Sequence, residues 1–286
     1  MGNRVSLLAE QLAHGSIYRP PPVDYVRETC AFATTVAGDA IAMRLYSRDK
    51  EVERLFREAK ATASPYALLI FSHGNGSDIG GAHAFCEHMC AALGMDVLVY
   101  DYPQYGHSSA SKASEDKLLE SIDAVFAQCL RLGWARERVF LMGHSLGSVP
   151  TVHLAAQAES GVCGVVLLAP LASGPRMLLQ GRTAYVPRWV LGQLDFLLFD
   201  NIARIADVAC PIAIVHGTQD TTVAVEHTEA LKLHIADSRR YTTLFVPVEH
   251  NELVEVSGRQ TLKVTMYIRR FRDKCLAAAD KRAAGT

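Results

Sequence analysis

Val139-Phe140-Leu141-Met142-Gly143-His144-Ser145-Leu146-Gly147-Ser148-Val149-Pro150 is the stretch on which the fold turns. Four apolar residues make a short buried strand, and the run SVPTVHLAA that follows the glycine reads as a helix. Pro150 falls in the first turn of that helix, where its missing N–H has no intrahelical partner to lose. Between strand and helix stands G-x-S-x-G. A serine on so sharp a turn is strained, and its hydroxyl is lifted out of the sheet. Residues two before and two after it would collide with the turn unless they lack a side chain. Ser145 is therefore the candidate nucleophile, and Gly143 and Gly147 are the glycines of its elbow. The helix N-terminus directs partial positive charge at the same point.

Outward from this turn the chain repeats one rhythm. Ala67–Ser72, Val97–Tyr100, Val139–Met142, Val165–Leu168, Ile212–Val215 and Leu244–Val246 are strand-sized apolar runs. Helical segments alternate with them, from about Gly81 to Leu93, Ser114 to Leu132, 147 to 158 and Glu255 to Leu276. Ser114 is placed to cap the second of these. Such alternation predicts an α/β fold with a mainly parallel central sheet covered by helices on both faces. Phe32 to Tyr46 reads as a hairpin turning at Gly38-Asp39, which adds antiparallel strands at the N-terminal edge. Residues 171–209 break the rhythm and predict a short helical flap instead of a large cap. The chain of 286 residues divides into a leader (1–29), one α/β domain (30–276) and a C-terminal tail (277–286). The leader ends in Pro20-Pro21-Pro22 and is expected to be extended and poorly packed.

A serine hydroxyl needs an adjacent base. In open α/β sheets functional groups collect at the C-terminal ends of strands. Asp220 follows the strand Ile212-Ala-Ile-Val-His216, and His250 follows TLFVPV, so both fall on the rim that carries Ser145. The other strand end for an acid is empty, because no Asp or Glu occurs from Gly164 to Leu194. His153, His227 and His234 sit on predicted helices. The candidate triad is Ser145, His250 and Asp220, with His250 as proton carrier and Asp220 as its orienting carboxylate. Backbone N–H donors for an oxyanion are expected from Leu146 and from Asn75 or Gly76, in the turn His73-Gly74-Asn75-Gly76. His73 reads as a hydrogen bonder beneath that turn. Tyr102, Tyr105, Met177, Leu178 and Leu179 are candidates either for an acyl-binding wall or for packing.

Composition narrows the classes. A net charge of −1 and a pI near 6.8, with scattered basic residues, exclude an electrostatic footprint for nucleic acid. Seven cysteines, an odd number without CxxC, predict free buried thiols in a reducing compartment. His83, Cys86, His88 and Cys90 cluster on one predicted helix. A structural zinc site takes ligands from separated elements, so packing is the expectation there. No metal and no cofactor is expected. There is no secretory signal pattern, and no apolar stretch reaches the ~20 residues that span a bilayer. Met1-Gly2-Asn3-Arg4-Val5-Ser6 fits the M-G-x-x-x-[ST] acceptor pattern, which makes Gly2 a candidate for N-myristoylation. A single myristoyl chain binds membranes only marginally, with K of about 10⁴ M⁻¹. No polybasic run adjoins Gly2 and no cysteine precedes Cys30. The expectation is a cytoplasmic chain associated peripherally with the cytosolic face of a membrane.

FSHGNGSD (71–78), VYDYPQYGHSS (99–109), GHSLGSVP (143–150), LLAPLASG (167–174), IVHGTQD (214–220) and His250-Asn251 together resemble the alpha/beta hydrolase domain 17 group. The resemblance runs from about Ala67 to Phe271. It implies the α/β-hydrolase fold and a serine hydrolase that removes palmitate from protein cysteines, so the implied substrate is an acylated protein or a small ester. Two departures stand out: the group's N-terminal cysteine cluster is missing, and Glu249 replaces its glycine before the histidine. The elbow alone leaves a general carboxylesterase or lipase open. A prolyl-oligopeptidase-like peptidase is also open but ranks lower, because the propeller domain of such peptidases is lacking. A non-catalytic scaffold of the same fold is disfavoured by the complete set of nucleophile, acid and base.

Overall fold

The computed structural model describes residues 17–60, 64–179 and 188–285. Gly2 lies outside them. Eight strands form one sheet in the order β1-β2-β4-β3-β5-β6-β7-β8. They are β1 (Ala31–Thr34), β2 (Ala40–Tyr46), β3 (Leu68–Ser72), β4 (Asp96–Tyr100), β5 (Val139–His144), β6 (Gly164–Leu168), β7 (Ile212–Gly217) and β8 (Tyr241–Val246). β1 pairs antiparallel with β2, and β2 with β4. Every other pairing is parallel. The N-terminal hairpin turns at Gly38, whose φ of +87° suits a residue without Cβ.

Side-chain alternation sorts the sheet into two buried faces. Val139, Leu141, Val165, Leu167, Ile212 and Ile214 join one core with Leu118, Ile122 and Val125 of the helix Glu115–Arg131 and with Val149 and Val152 of the helix Ser148–Ala156. Their neighbours Phe140, Met142, Val166, Leu168, Ala213 and Val215 join the other. There they meet Phe85 and Met89 of the helix His83–Leu93 and Ile268 and Phe271 of the C-terminal helix Thr261–Ala284. Strands buried on both faces read as unbroken apolar runs, which is why they are visible in the sequence.

Local signals hold well. Ser114 caps its helix by accepting from Lys117 N at 3.3 Å. His83 bonds Tyr46 Oη (3.1 Å), His88 bonds Thr265 Oγ1 (3.0 Å), and Cys86 and Cys90 are buried. All seven cysteines are free, and six are buried. The flap region holds the short helices Gly174–Leu178, Arg188–Leu194 and Asn201–Ile205.

Two expectations change. The C-terminal helix begins at Thr261 and runs to Ala284, past the Leu276 at which the apolar pattern fades. Ala277, Ala278, Ala279, Lys281 and Arg282 are strong helix formers and continue it, with Ala279 still packed against the core. The described part of the leader, residues 17–29, also packs where poor packing is expected. Residues 18–24 form no helix or strand, as three prolines require. Tyr18 is nevertheless buried, with its ring edge-on to Phe199 at 6.3 Å. Tyr25 Oη bonds the Asp101 carboxylate and Arg27 Nη1 donates to His107 O (3.1 Å). Tyr18 before the prolines and Tyr25 and Arg27 after them thus meet partners far away in the sequence, in Phe199, Asp101 and His107.

Candidate active site

β5 delivers Ser145 at its C-terminal end. Ser145 has φ +53°, a left-handed conformation that costs a side-chain-bearing residue energy. The two glycines are sterically required. A Cβ on Gly143 would stand 2.4 Å from Gly147 O, and one on Gly147 would stand 2.0 Å from Ser72 O. Beneath the turn, Ser148 Oγ donates to Ser145 O (2.7 Å) and accepts from Leu171 N (3.0 Å), tying the elbow to the segment after β6.

β7 and β8 bring the predicted acid and base together. A Cβ on Gly217 would lie 2.2 Å from Val248 O, so the two strand ends approach as closely as backbones can. Thr218 N donates to Val246 O (2.7 Å) and Gln219 N to Val248 O (3.2 Å), continuing the contact into the loops. Asp220 Oδ2 then accepts from His250 Nδ1 at 2.6 Å, with both side chains buried. Its other oxygen accepts from Thr222 N (2.9 Å) and Val223 N (2.8 Å). Burial alone would raise this carboxyl. The hydrogen bonds from His216 and His250 outweigh it and hold Asp220 well below the usual carboxylate range. His216 lies with Nε2 3.5 Å from Asp220 Oδ2 and donates to Val223 O at 2.8 Å.

His144, the variable residue of the elbow, escapes sequence reasoning. Its ring packs on His250 with centroids 4.8 Å apart, and its Nε2 donates to His250 O at 3.3 Å. Burial first, and then the neighbouring His250, push its pKa down to about 3. It is thus a neutral donor braced against the predicted base. Its position next to Ser145 was the one available signal.

Ser145, His144 and His250 line a cavity of about 540 Å³ together with Gly74, Asn75, Gly76, Phe71, Phe85, Val254 and Arg19. Neither Asn75 nor Gly76 donates its N–H to another backbone group among the described residues. A Cβ on Gly74 would lie 3.8 Å from Ser145 Cβ, so this turn rests against the elbow. His73 sits beneath it, 3.3 Å from Asp101 Oδ1. Tyr102 and Tyr105 are fully buried packing residues rather than cavity wall, and Leu178 is exposed. Phe71, Ala82, Phe85 and Val254 supply the apolar wall instead. A larger groove of about 770 Å³ runs beside Cys163, Cys210 and Asp280. It contains no nucleophile–base pair, so chemistry rather than volume selects the smaller cavity.

The strand order, the antiparallel edge and the elbow define the α/β-hydrolase fold. A family of serine aminopeptidases (S33) matches residues 63–197. The alpha/beta hydrolase domain-containing protein 17B of Xenopus laevis is 37% identical over 224 residues, covering 78% of this chain and 72% of that one. The human 17B protein is 36% identical over 202 residues, covering 70% and 65%. The chain belongs to the alpha/beta hydrolase domain-containing protein 17 family. Among solved structures, the Pyrococcus furiosus esterase Pf2001 matches with a TM-score of 0.67 at 14% identity, over 90% of this chain and 99% of that one. A Paleococcus ferrophilus monoacylglycerol lipase matches with a TM-score of 0.59 at 18% identity, over 82% and 99%. At such identities the likeness is one of fold. A hydrolase is what family and fold together support.

Proposed function

We propose that this protein is a serine hydrolase that cleaves acyl thioesters or esters through an acyl-enzyme on Ser145, and that its substrates are palmitoylated proteins. One observation carries the reading: a strained serine and a carboxylate-paired histidine share one small cavity with Asn75 and Gly76, whose N–H groups have no backbone partner among the described residues.

In the proposed reaction His250 removes the proton of Ser145 Oγ as the oxygen attacks the acyl carbon. Asp220 fixes the imidazole with Nδ1 protonated, leaving Nε2 as base, and stabilises the imidazolium that forms. The Leu146 N–H and that of Asn75 or Gly76 receive the oxyanion, each such donor being worth about 2.7–4 kcal/mol. His250 then protonates the departing thiol or alcohol, and water repeats the cycle on the acyl-serine. The family membership supports the palmitoyl-thioester class, and the apolar wall of Phe71, Phe85 and Val254 suits an acyl chain. Myristoylation of Gly2 would bring the enzyme to acylated substrates at the cytosolic face of a membrane. Among the described residues no helix is long and apolar enough to cross one.

The test is labelling by a fluorophosphonate probe of the wild type beside Ser145→Ala, followed by turnover of a palmitoyl thioester and of short p-nitrophenyl esters. Labelling lost in the variant, with preference for the long thioester, is expected. Preference for short esters would point to a general esterase. A folded wild type that does not label would overturn the catalytic reading.

A further inference from the structure

We propose that Asn75 is a positioning residue whose side chain, by gripping residues 17–19, makes the N-terminal segment a working part of the oxyanion-binding loop. This rests on the serine-hydrolase reading above. Asn75 Oδ1 accepts from Arg19 N at 3.0 Å and from Tyr105 Oη at 2.6 Å, while Nδ2 donates to Ile17 O. The Arg19 N–H is shared with Tyr105 Oη at 3.1 Å, which closes a three-membered ring of partners. Both acceptor sites of the amide oxygen are thereby filled, and only one of its amide hydrogens is left over.

The same residue lines the cavity that holds Ser145, and its N–H has no backbone partner among the described residues. One residue thus carries two functions: a backbone N–H for the proposed oxyanion and a side chain fixed to residues 17–19, of which Arg19 lines the same cavity. The grip is needed because Gly74 and Gly76 flank Asn75, and glycine holds no backbone conformation by itself. An oxyanion donor is effective only when it is already in place as charge develops.

A second clamp holds the far end of the loop. Tyr25 Oη bonds the Asp101 carboxylate, whose Oδ1 accepts from Ile79 N at 2.9 Å. Tyr25 is held in turn by His107, whose N and Nε2 donate to Tyr25 Oη (3.0 Å) and Tyr25 O (2.8 Å). Within the first clamp Tyr18 packs on Phe199 of the flap region. The leader therefore ties the oxyanion loop to the β4 end on one side and to the flap on the other.

Asn75→Ala removes the grip and keeps the backbone donor. Tyr105→Phe keeps the ring packing and removes the hydroxyl. Both are compared with wild type in kcat and KM on a p-nitrophenyl ester and in Ki for a trifluoromethyl ketone, whose tetrahedral adduct carries an oxyanion. Thermal unfolding reports whether each variant is folded. For Asn75→Ala, kcat falls about 10- to 100-fold, the cost of a small misplacement at a reacting centre. KM stays within about 3-fold, and Ki for the ketone rises by the same factor as kcat falls. Tyr105→Phe moves the same quantities in the same direction, and the double variant loses less than the product of the two, because both act on one ring of bonds. Equal kcat in a folded Asn75→Ala chain, or a loss confined to KM, overturns this inference alone. A wild type that neither labels with fluorophosphonate nor turns over ester overturns the serine-hydrolase reading and this inference with it.

Discussion

His250 Nδ1 lies 2.6 Å from Asp220 Oδ2, and the other oxygen of that carboxylate is occupied by the N–H groups of Thr222 and Val223. The carboxylate is therefore anchored by its own loop independently of the histidine, with Oδ2 turned to the imidazole. A pair built this way holds the ring and its tautomer together.

Asp220→Asn keeps the shape and removes the charge. The amide can present either its oxygen or its NH₂ to Nδ1, and the second choice puts the proton on the wrong nitrogen. With the proposed mechanism kcat for ester hydrolysis falls about 10³- to 10⁴-fold at neutral pH, with little change in KM. Steady-state kinetics with an active-site titration checks it. A loss under tenfold would mean that Asp220 is not the orienting acid.

Acid should destabilise the fold through buried neutral histidines. Burial, with His216 beside it, holds His227 down at about 4, and its Nδ1 accepts from Ala172 N at 2.9 Å. His144 is held at about 3. In the unfolded chain both titrate near 6.5. Below that pH the unfolded state binds protons that the native state refuses, so the full stability above about 6.5 is lost as pH falls toward the folded values. The slope approaches about 1.4 kcal/mol per pH unit for each histidine. Urea unfolding from pH 7 down to about pH 5 measures it, and His227→Asn should make the slope shallower by about one proton.

Gly147→Ala should disable the elbow. The added Cβ would stand 2.0 Å from Ser72 O and 2.7 Å from His73 O, and both obstacles are backbone. Overpacking that no side chain can relieve costs about 1–3 kcal/mol or more. The chain then loses stability and shifts Ser145, and the rate of fluorophosphonate labelling falls at least tenfold. Wild-type labelling by this variant would show that the elbow tolerates a shift of β3.

Asp195 in the flap region is buried, with Arg176 Nε 2.9 Å from its Oδ1 and Nη2 2.9 Å from its Oδ2, and with Ser173 Oγ on Oδ1. Asp195→Ala leaves a half-buried guanidinium unpaired, and about 3 kcal/mol of stability is the expected loss. Limited proteolysis should cut sooner between residues 178 and 195 than in wild type. Unchanged urea unfolding would mean that solvent replaces the carboxylate at no cost.

Much of the geometry of the candidate site was legible in the sequence. Ser145, Gly143 and Gly147 follow from the sterics of one turn. Asp220 and His250 follow from the rule that parallel strands end on one edge, which needs only the strands to be recognised. His144 and Asn75 were less accessible. His144 is the unconstrained position of its motif, and nothing local says that its ring will rest on His250. Asn75 was marked for its backbone, whereas the partners of its side chain, Ile17, Arg19 and Tyr105, lie up to 58 residues away.

By itself, then, the sequence determined the elements, their order and the edge on which the candidate site residues gather. Those depend on local sterics and on the period of apolar residues, both written within a few positions of the chain. The tertiary structure alone decided that residues 17–29 around the prolines are packed, that the cavity wall is Phe71, Phe85 and Val254 rather than Tyr102 and Tyr105, and that Asp195 is paired inside the flap region. Each of these rests on contacts between distant segments, settled by differences of about an ångström in how helices and loops seat on the sheet, which no local pattern encodes.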